Sequence, residues 1–535
     1  MNSFTAEEME QALRECAAEP IHQIGKIQPH GALLVLSKDP QHRVLQSSEN
    51  LVDFFGISAD QANGKALALL IGKPATLQID QLIQKLGGKD TITGKVNIIQ
   101  KQSSYNLNAH LYALEWFLVL EVEHDQYQDT QAEGNLAQLM LDIQQTMLST
   151  ENDADSSRYF DRIVELVRDL TGYDSVMTYR FDSNWDGEVI SQSRVEESPS
   201  FLGLQFPSCD IPPQARSLYT KNLVRMVADI DVTPVAILPM INPVSQQPLD
   251  MTYSALRSLS PIHMEYLRNI GVQASLVISL LQNGRLWGLI ACHHRTAKRV
   301  SIAMREAAIF ISRMASAKLA AIESQDRLNK VEKAHNLLGD LVDQITLGNI
   351  EVVQQQLLPK LQSLLNATGM IMVADGKYHL QGDVPESADI DHLLTWLDSQ
   401  RQSEVFSCDC LEQKFFPANA YRSIVSGLLV ASISNDMSNC LIWLRKEKPQ
   451  TVYWAGSADK GRIRDAAGNI HLTPRKSFEI WTETWSGRCA PWTSVEISIA
   501  LMMTQALPKS LLQKHQLVQE QVLRKSAEAT TIKYL

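Results

Sequence analysis

The chain has 535 residues, of which 44% are hydrophobic and 20% charged, and its formal net charge is −11. This length predicts several domains, and the acidic balance argues against nucleic acid or an anionic membrane as a main partner. No apolar run approaches the ~18 residues of a membrane span, and the N-terminus does not resemble a signal peptide. Seven cysteines without a Cys-x-x-Cys pair favour a reduced cytoplasm over disulfides or a metal site. We therefore expect a soluble cytoplasmic protein.

The first 125 residues divide into an arm and a domain. Residues 1–20 read as an acidic helical arm, in which Cys16 begins a run punctuated by Pro and Gly. A Cys on such an arm is either a nucleophile or an incidental surface thiol. Over residues 21–125, apolar runs such as GALLVLS, KVNIIQ and FLVLEVE alternate with turn residues. This pattern predicts a mixed α+β domain.

A second domain is predicted over residues 137–322. A helical stripe at 135–150 leads into four strand-like runs, VMTYRF, EVISQS, SLVISLL and LWGLIACHH, with helices between them.

Within this domain, the stretch SALRSLSPIHMEYLRNIG sets Arg257, Ser260, His263 and Tyr266 three residues apart. A helix that begins at Pro261 would place His263 and Tyr266 on one face. Arg257 and Ser260 would then precede its N-terminus, where an anion can be held. The stretch is either part of a site for a large, flat, acidic ligand or an ordinary amphipathic helix with a buried His.

The last part of the chain combines a long helix with a third domain. Residues 301–338 contain no Gly or Pro, which predicts a helix that bridges domains. The third domain is predicted over residues 323–508, with a polar, Trp- and Gly-rich insert at 445–493 that is long for a connection. Residues 508–530 have the near-heptad spacing of a short parallel coiled coil.

Several segments resemble, in order, those of the bacteriophytochromes. They are Cys16 with the EPIH and IQPHG that follow, PSCDIP at 207–212, SPIHMEY at 260–266, LWGLIACHH at 286–294, WAG at 454–456 and PRKSF at 474–478. The chain is similar to a photosensory core over residues 10–508. The resemblance implies an α+β multidomain fold of PAS (21–125), GAF (137–322) and PHY (323–508) domains with antiparallel sheets. It also implies a long helical spine, a PHY tongue at 445–493 and a coiled-coil linker at 509–535.

The resemblance implies a bilin as the cofactor, attached by a thioether to Cys16. Ile262 stands where phycobilin-using relatives have a Cys, so the implied bilin is biliverdin. Arg225 and Arg257 match the arginines that bind the propionates, with Tyr219, Ser260 and Ser275 as candidate hydroxyl partners. The other implied contacts are the Asp210 carbonyl and His263 at the pyrrole nitrogens, His293 at the ring D carbonyl, Tyr179, Phe206 and Tyr266 as walls, and Ile211 and Pro212 of the Asp-Ile-Pro motif.

The implied mechanism is isomerisation of the C15=C16 bond by light. The Asp210 carboxylate would pair with Arg475 of the tongue in one state and hydrogen-bond Ser477 in the other, while the tongue refolds from a hairpin towards a helix. Trp454 and Trp481 are candidates to exchange places. Cys209 departs from the family, which usually has Ser there, and is either a tolerated small side chain or a second reactive thiol.

The function predicted is a red/far-red photoreceptor module. These residues lack a nucleotide-binding Gly-rich loop, a kinase histidine box and a cyclase signature, so we expect no enzyme within them. A GAF-type regulator that binds another small molecule is the alternative, although it leaves Cys16 and PRKSF unused. The resemblance implies a parallel homodimer and a C-terminal histidine kinase or diguanylate cyclase, of which the linker favours the cyclase.

Overall fold

The computed structural model describes most of the chain and divides it into two compact units. The described residues are 14, 18–100, 103–124, 140–141, 143–145, 156–374, 376–400, 403–434, 437–448, 450–456, 461–464, 470–473 and 478–507. The first unit comprises Met1–Ala320 and Tyr453–Trp481, and the second comprises Ala321–Val452 and Thr482–Leu535. The predicted coiled coil at 508–530 and most of the predicted helix at 135–150 lie outside the described residues, so both stay predictions.

A seven-stranded sheet organises the N-terminal part of the first unit. Its strands, in spatial order, are Lys26–Ile27, Val235–Leu238, Val44–Ser48, Gly31–Ser37, Phe117–His124, Ser103–Ala113 and Thr91–Gln100. The helices that follow its third strand in the chain are Leu51–Phe55, Ala59–Ala62, Leu67–Ile71 and Lys73–Leu86. Val235–Leu238 comes from the middle of the chain and pairs antiparallel with both Lys26–Ile27 and Val44–Ser48. The first two predicted domains therefore share a sheet.

A second antiparallel sheet carries the middle of the chain. Its first six strands, in spatial order, are Val224–Val227, Ala274–Gln282, Arg285–His294, Ser175–Phe181, Gly187–Arg194 and Gln205–Phe206. The four predicted runs each form one of these strands. Leu276, Ile278 and Ile290 form a buried core with residues of helix Ser156–Thr171. Because side chains alternate along a strand, the residues between them face the opposite side of the sheet.

Short helices surround that opposite side. They are the 3₁₀ segments Ile21–Gln23 and Ser208–Asp210 and the α-helices Pro213–Lys221 and Pro261–Ile270. The predicted helix after Pro261 is thereby confirmed.

The predicted long helix forms and is longer than expected, running over Ile302–Leu347. Its 46 residues span about 69 Å at 1.5 Å per residue. It continues through Gly339 because Leu341 and Ile345 are buried in the core of the second unit, and this packing outweighs the low helix propensity of Gly. No helix among the described residues has the length and apolar character of a membrane span.

The second unit is built on a five-stranded antiparallel sheet. Its strands, in spatial order, are Lys377–Gly382, Gly369–Ala374, Cys440–Arg445, Gly427–Ser432 and Val405–Cys408. The shorter helical segments are Ile350–Val352, Val353–Leu357, Leu358–Leu364, Ser387–Ser399, Leu411–Lys414 and Phe416–Tyr421, and residues 494–507 are also helical. Two buried apolar clusters draw on alternate residues of these strands, so both faces of the sheet are covered.

The insert at 445–493 contains strands Gln450–Ala455, Gly461–Arg464, Ile470–Thr473 and Ile480–Trp485. The middle two pair as an antiparallel hairpin, from Gly461 opposite Thr473 to Arg464 opposite Ile470.

Candidate functional site

The predicted site residues gather around one cleft of the first unit. The cleft lies on the side of the second sheet that faces away from the helix Ser156–Thr171. It encloses about 1140 Å³, including space continuous with solvent. Ten predicted residues line it: Asp210, Ile211, Pro212, Tyr219, Arg225, Arg257, Ser260, His263, Tyr266 and Ser275. Cys209 and Ile262 line it as well. Cys16, Arg475 and Ser477 lie outside the described residues, so their placement stays a prediction.

The sheet brings residues far apart in sequence to the floor of this cleft. Val227 is paired with Ser275, and Ser275 is paired on its other side with His293. Arg225 lies opposite Val277 on the same pair of strands. Directly paired residues point to the same face of an antiparallel sheet, so the strand register places Arg225, Ser275 and His293 on one surface.

Arg225 is a buried cation held by backbone carbonyls. Its guanidinium donates to the carbonyl oxygens of Arg257 and of Ser258, the latter at 3.1 Å, and reaches that of Ala255 at 3.4 Å. Only 7% of the residue is exposed. Burial, and secondarily the nearby Arg257, lower the pKa of Arg225 to about 9. The cleft therefore holds a positive charge that is costly without an anion nearby.

Arg257 is the second buried cation of the cleft. Its guanidinium donates to the Ile21 carbonyl oxygen at 2.9 Å, while its Nε is buried without a hydrogen-bond partner among the described residues. Burial also lowers the pKa of Arg257. Neither Arg257 nor Arg225 forms an ion pair with a carboxylate in the described part of the chain.

The helix Pro261–Ile270 places the rings of His263 and Tyr266 at the cleft. Ser260 caps it, since its Oγ accepts the His263 backbone N–H at 3.3 Å, and Pro261 occupies the first helical position. The rings of His263 and Tyr266 are nearly parallel, at 11° with centroids 6.0 Å apart. The shared face predicted from the three-residue spacing is thus confirmed.

His263 lines the cleft and His293 does not border it, and both lie in an environment that favours their neutral forms. Burial, followed by Arg225 and Arg257, lowers the pKa of His263 to about 4. Burial and His263 lower the pKa of His293 to about 4 as well. The Nδ1 atom of His293 is buried without a hydrogen-bond partner among the described residues. At neutral pH His293 therefore offers an unused polar atom to a ligand.

Asp210 lies on a tight turn at the rim of the cleft. Its backbone N–H donates to the Pro207 carbonyl at 2.9 Å within the 3₁₀ segment Ser208–Asp210. The Tyr266 hydroxyl donates to the Asp210 carboxylate at 3.4 Å. The turn thus connects the Asp-Ile-Pro motif with the helix that carries His263.

Tyr179 and Phe206 belong to a buried cluster beside the cleft, which also includes partly buried Ile211, Tyr219 and Val277. The ring centroids of Tyr179 and Phe206 are 5.8 Å apart. These two predicted wall residues are therefore next to lining residues, although neither borders the cleft volume itself.

The segment that follows Cys16 passes along the cleft. Glu19 and Ile21 line it, and Gln28 donates to the Met226 carbonyl at 2.9 Å while accepting from the Ala228 N–H at 3.0 Å. Together with the bond from Arg257 to Ile21, these contacts attach the N-terminal segment to the strand that carries Arg225.

Part of the insert belongs to the same unit as the cleft. Trp454 is 4% exposed and pairs in parallel with Gln205, just before the Asp210 turn. Phe478 meets the Tyr266 ring edge-on, with centroids 5.5 Å apart. Trp481 is 42% exposed, so the two tryptophans that we predicted to exchange places differ in burial.

Sequence reasoning missed two residues near the Asp210 turn. Arg216 donates to backbone carbonyls on both sides of Asp210, and Trp185 stacks on Arg216. Neither carries a recognisable motif, although an Arg in the first turns of a helix directly after Asp-Ile-Pro was a usable signal. The described residues contain no group of His, Cys, Asp or Glu suited to a metal ion.

Comparisons with known proteins give one consistent result. Family profiles match the PAS fold over residues 16–125, the GAF domain over 155–320 and the phytochrome region over 334–516. A cyanobacterial phytochrome B of Nostoc sp. is 35% identical over 509 residues, covering 94% of this chain and 66% of its own length. The chain thus spans about two thirds of that relative. A bacteriophytochrome of Xanthomonas campestris is 29% identical, covering 91% of this chain and 76% of its own.

Among solved structures, the wild-type phytochrome photosensory core module of Stigmatella aurantiaca superimposes with a TM-score of 0.78 at 33% sequence identity. The match covers 93% of this chain and 98% of that one. Fold and sequence therefore agree along nearly the whole chain.

Proposed function

Because the chain belongs to the phytochrome family of photoreceptors, as the PAS–GAF–PHY core of a bacteriophytochrome, we propose that it senses red and far-red light with biliverdin bound in the cleft. The main observation in support is a pair of buried cations, Arg225 and Arg257. Both face the cleft, and neither forms an ion pair with a carboxylate among the described residues. A ligand with two propionates would supply each arginine with a directly paired carboxylate, and Arg binds carboxylates with planar, bidentate contacts.

The other cleft residues suit the remaining parts of such a ligand. Ser275, Ser260 and Tyr219 offer hydroxyls that line the cleft together with the two cations. His293 is paired with Ser275 on the sheet, and its Nδ1, which has no partner among the described residues, is the atom that we assign to the ring D carbonyl. Tyr266, Ile211 and Pro212 supply apolar walls. The Asp210 carbonyl would accept hydrogen bonds from the pyrrole N–H groups, and His263 would lie at the same nitrogens.

Covalent attachment is assigned to Cys16. Glu19, three residues further on, lines the cleft, and three residues of extended chain reach about 10 Å. A segment of that length can bring the Cys16 thiol to the cleft. Addition of its thiolate to ring A of biliverdin would form a thioether, and Ile262 offers no competing thiol on the pocket helix. Cys209 is the second thiol that lines the cleft.

When bound, the bilin supplies light absorption and isomerisation at C15=C16, which turns ring D. The protein then changes its hydrogen bonds at His293 and at the Asp210 turn. In our proposal, the Asp210 carboxylate pairs with Arg475 in one state and hydrogen-bonds Ser477 in the other. The hairpin formed by Gly461–Arg464 and Ile470–Thr473 is the arrangement that would convert towards a helix, with exchange of Trp454 and Trp481.

The output is proposed from the family. We infer a parallel homodimer through the long helix and residues 508–530, and a C-terminal diguanylate cyclase or histidine kinase as effector. The PAS, GAF and PHY domains would then be sensory and not catalytic.

The experiment is an absorption spectrum of the protein assembled with biliverdin, before and after red light, beside Cys16→Ala and Cys209→Ala. We expect a red band that converts reversibly to a far-red band, and chromophore that stays attached in denaturant unless Cys16 is replaced. Attachment that survives in Cys16→Ala but is lost in Cys209→Ala would overturn the linkage. The absence of any visible band would overturn photoreception and favour another small-molecule ligand.

A further inference from the structure

The turn that presents Asp210 is held from outside the cleft by three backbone contacts. The Ser208 N–H donates to the Asp186 carboxylate at 2.7 Å. The Arg216 guanidinium donates to the Ile211 carbonyl at 3.0 Å and approaches the Ser208 carbonyl at 3.4 Å. These atoms flank Cys209 and Asp210 on both sides, so the contacts hold the backbone before and after Asp210.

Arg216 is itself held by an aromatic ring. Its guanidinium carbon lies 4.6 Å from the centre of the Trp185 ring, a distance typical of a cation–π contact. Arg216 makes no ion pair in the described part of the chain. Its observed partners are two carbonyl oxygens and a π face, which suits a residue that orients backbone.

Trp185 occupies a backbone conformation that its side chain does not favour. Its φ is +69°, in the left-handed region that bulky residues rarely adopt. The turn is maintained by Asp182, whose Oδ1 accepts the Asn184 and Asp186 N–H groups at 2.8 and 2.9 Å. The same turn thus supplies Trp185 to Arg216 and Asp186 to Ser208.

Aromatic contacts link this turn to the buried cluster beside the cleft. The rings of Trp185 and Phe181 have centroids 5.5 Å apart, and those of Phe181 and Tyr179 are 5.1 Å apart. The strand Gln205–Phe206, which pairs with Trp454, leads directly into the held segment. The segment therefore lies between the tongue contact and the cleft.

We propose that Arg216, braced by Trp185, is a positioning residue that fixes the Ser208–Ile211 turn and thereby sets the placement of Asp210 towards the ligand and the tongue. The effect expected on the bilin rests on the proposed function, whereas the effect expected on the turn concerns the protein alone. A loosened turn would present the Asp210 carbonyl less well to a protonated bilin, so the bilin would lose its proton at lower pH.

The first test uses the full chain without biliverdin. Hydrogen–deuterium exchange of peptides that cover 205–212 is compared for the parent, Arg216→Gln, Trp185→Leu and Trp185→Phe. We expect exchange of about tenfold or more above the parent in Arg216→Gln and Trp185→Leu, because each loses contacts that hold the turn. Trp185→Phe keeps a π face and should return towards the parent. Arg180→Gln is the matched control, since Arg180 pairs with Glu188 at 2.7 Å.

The second test adds biliverdin and titrates the red band with pH. The midpoint in Arg216→Gln should fall by about one pH unit, which is the effect of one charge-assisted contact, while Arg180→Gln should match the parent. Unchanged exchange and an unchanged midpoint would overturn the positioning role. If Arg216→Gln does not fold, Trp185→Leu decides between the same outcomes. If the parent protein itself shows no red band, the proposed function is refuted. The hydrogen-exchange result then decides by itself whether Arg216 holds the turn.

Discussion

Tyr179 keeps its position beside the cleft because Gly187, on the neighbouring strand, has no side chain. The paired strands bring the Tyr179 ring across Gly187, and a Cβ built there would lie 1.8 Å from the ring carbon Cζ. No rotation of a methyl group relieves such an overlap, so the ring or the strand must move. The glycine is therefore required by a close approach.

Gly187→Ala should consequently lower the free energy of unfolding by about 1–3 kcal/mol, the usual cost of overpacking. The double variant Gly187→Ala/Tyr179→Leu should lose less than the sum of its single variants, because the smaller side chain leaves room. Denaturant unfolding of the four proteins measures this coupling. Strictly additive losses would contradict the proposed clash.

For single residues, the sequence predicted which residues belong to the site better than it predicted which residues they contact. The spacing of His263 and Tyr266 and the position of Ser260 before Pro261 follow from local helix rules, and both are confirmed. The bond from Arg257 to Ile21 joins residues 236 positions apart, and no local pattern encodes such a contact. Arg216 was missed for a related reason: its position after Asp-Ile-Pro could have marked it, but its contacts with backbone carbonyls and with the Trp185 ring are not encoded by a local pattern.

Among the elements, the helix Pro261–Ile270 depends on its cap. It has only 10 residues, too few to be stable alone in water, and the Ser260 Oγ satisfies one of its free N–H groups. Its far end closes at Gly271, with φ +79°. The helix that carries His263 is thus delimited by its own sequence.

Ser260→Ala should cost about 1 kcal/mol, the typical value of a lost N-cap. Hydrogen exchange of the amides of residues 262–266 should accelerate about fivefold in the protein without biliverdin. Ser217→Ala, an exposed site on the helix Pro213–Lys221, is the control and should leave these amides unchanged. Equal exchange in both variants would show that packing alone holds the helix.

In the long helix we expect a substitution that stabilises the protein. Gly339 lies within Ile302–Leu347, and a Cβ there would meet nothing within 4 Å. Gly339→Ala should therefore stabilise the protein by about 1 kcal/mol, because Ala has the higher helix propensity. A rise in the thermal midpoint checks this. A fall would indicate that Gly339 serves a bend or contact that the helical geometry does not reveal.

At the scale of the whole molecule, the strand Phe117–His124 contributes the contacts that join the PAS domain to the GAF domain. Leu118, Leu120 and Val122 pack in the PAS core, so the alternating residues Glu121 and Glu123 face the other side. The sequence predicted this strand, but not that both carboxylates are buried, at 1% and 2% exposure. Their hydrogen-bond partners Ser254, Ala255, Arg299 and Arg305 are more than 130 positions away, and only the three-dimensional structure brings them together.

The two carboxylates hold different parts of the GAF domain. Glu121 accepts the Ser254 hydroxyl and the Ala255 N–H, the latter at 2.8 Å, and so fixes the loop that leads to Arg257. Glu123 pairs with Arg299 at 2.9 Å and with Arg305, in the first turn of the long helix, at 2.6 Å. The PAS domain therefore supports both the cleft and the start of the helix.

Burial alone would raise the pKa of Glu123, but Arg305, His30 and Arg299 together lower it to about 2. A carboxyl whose pKa is lower in the folded state stabilises the protein above its unfolded pKa. That stabilisation is present at neutral pH and is lost as the pH falls from about 4.5 towards 2.

Glu123→Gln should therefore destabilise the junction by about 3 kcal/mol at pH 7, because it leaves two partly buried arginines without their buried counter-charge. It should also show a weaker loss of stability below pH ~4.5 than the parent, since the group that titrates is gone. Thermal unfolding between pH 7 and 3 measures both effects. Glu188→Gln removes a more exposed partner of Arg180 and should cost under about 1 kcal/mol. If the two variants lost equal stability, the buried pair would contribute no more than a surface one, and the PAS domain would support the GAF domain through the shared sheet alone.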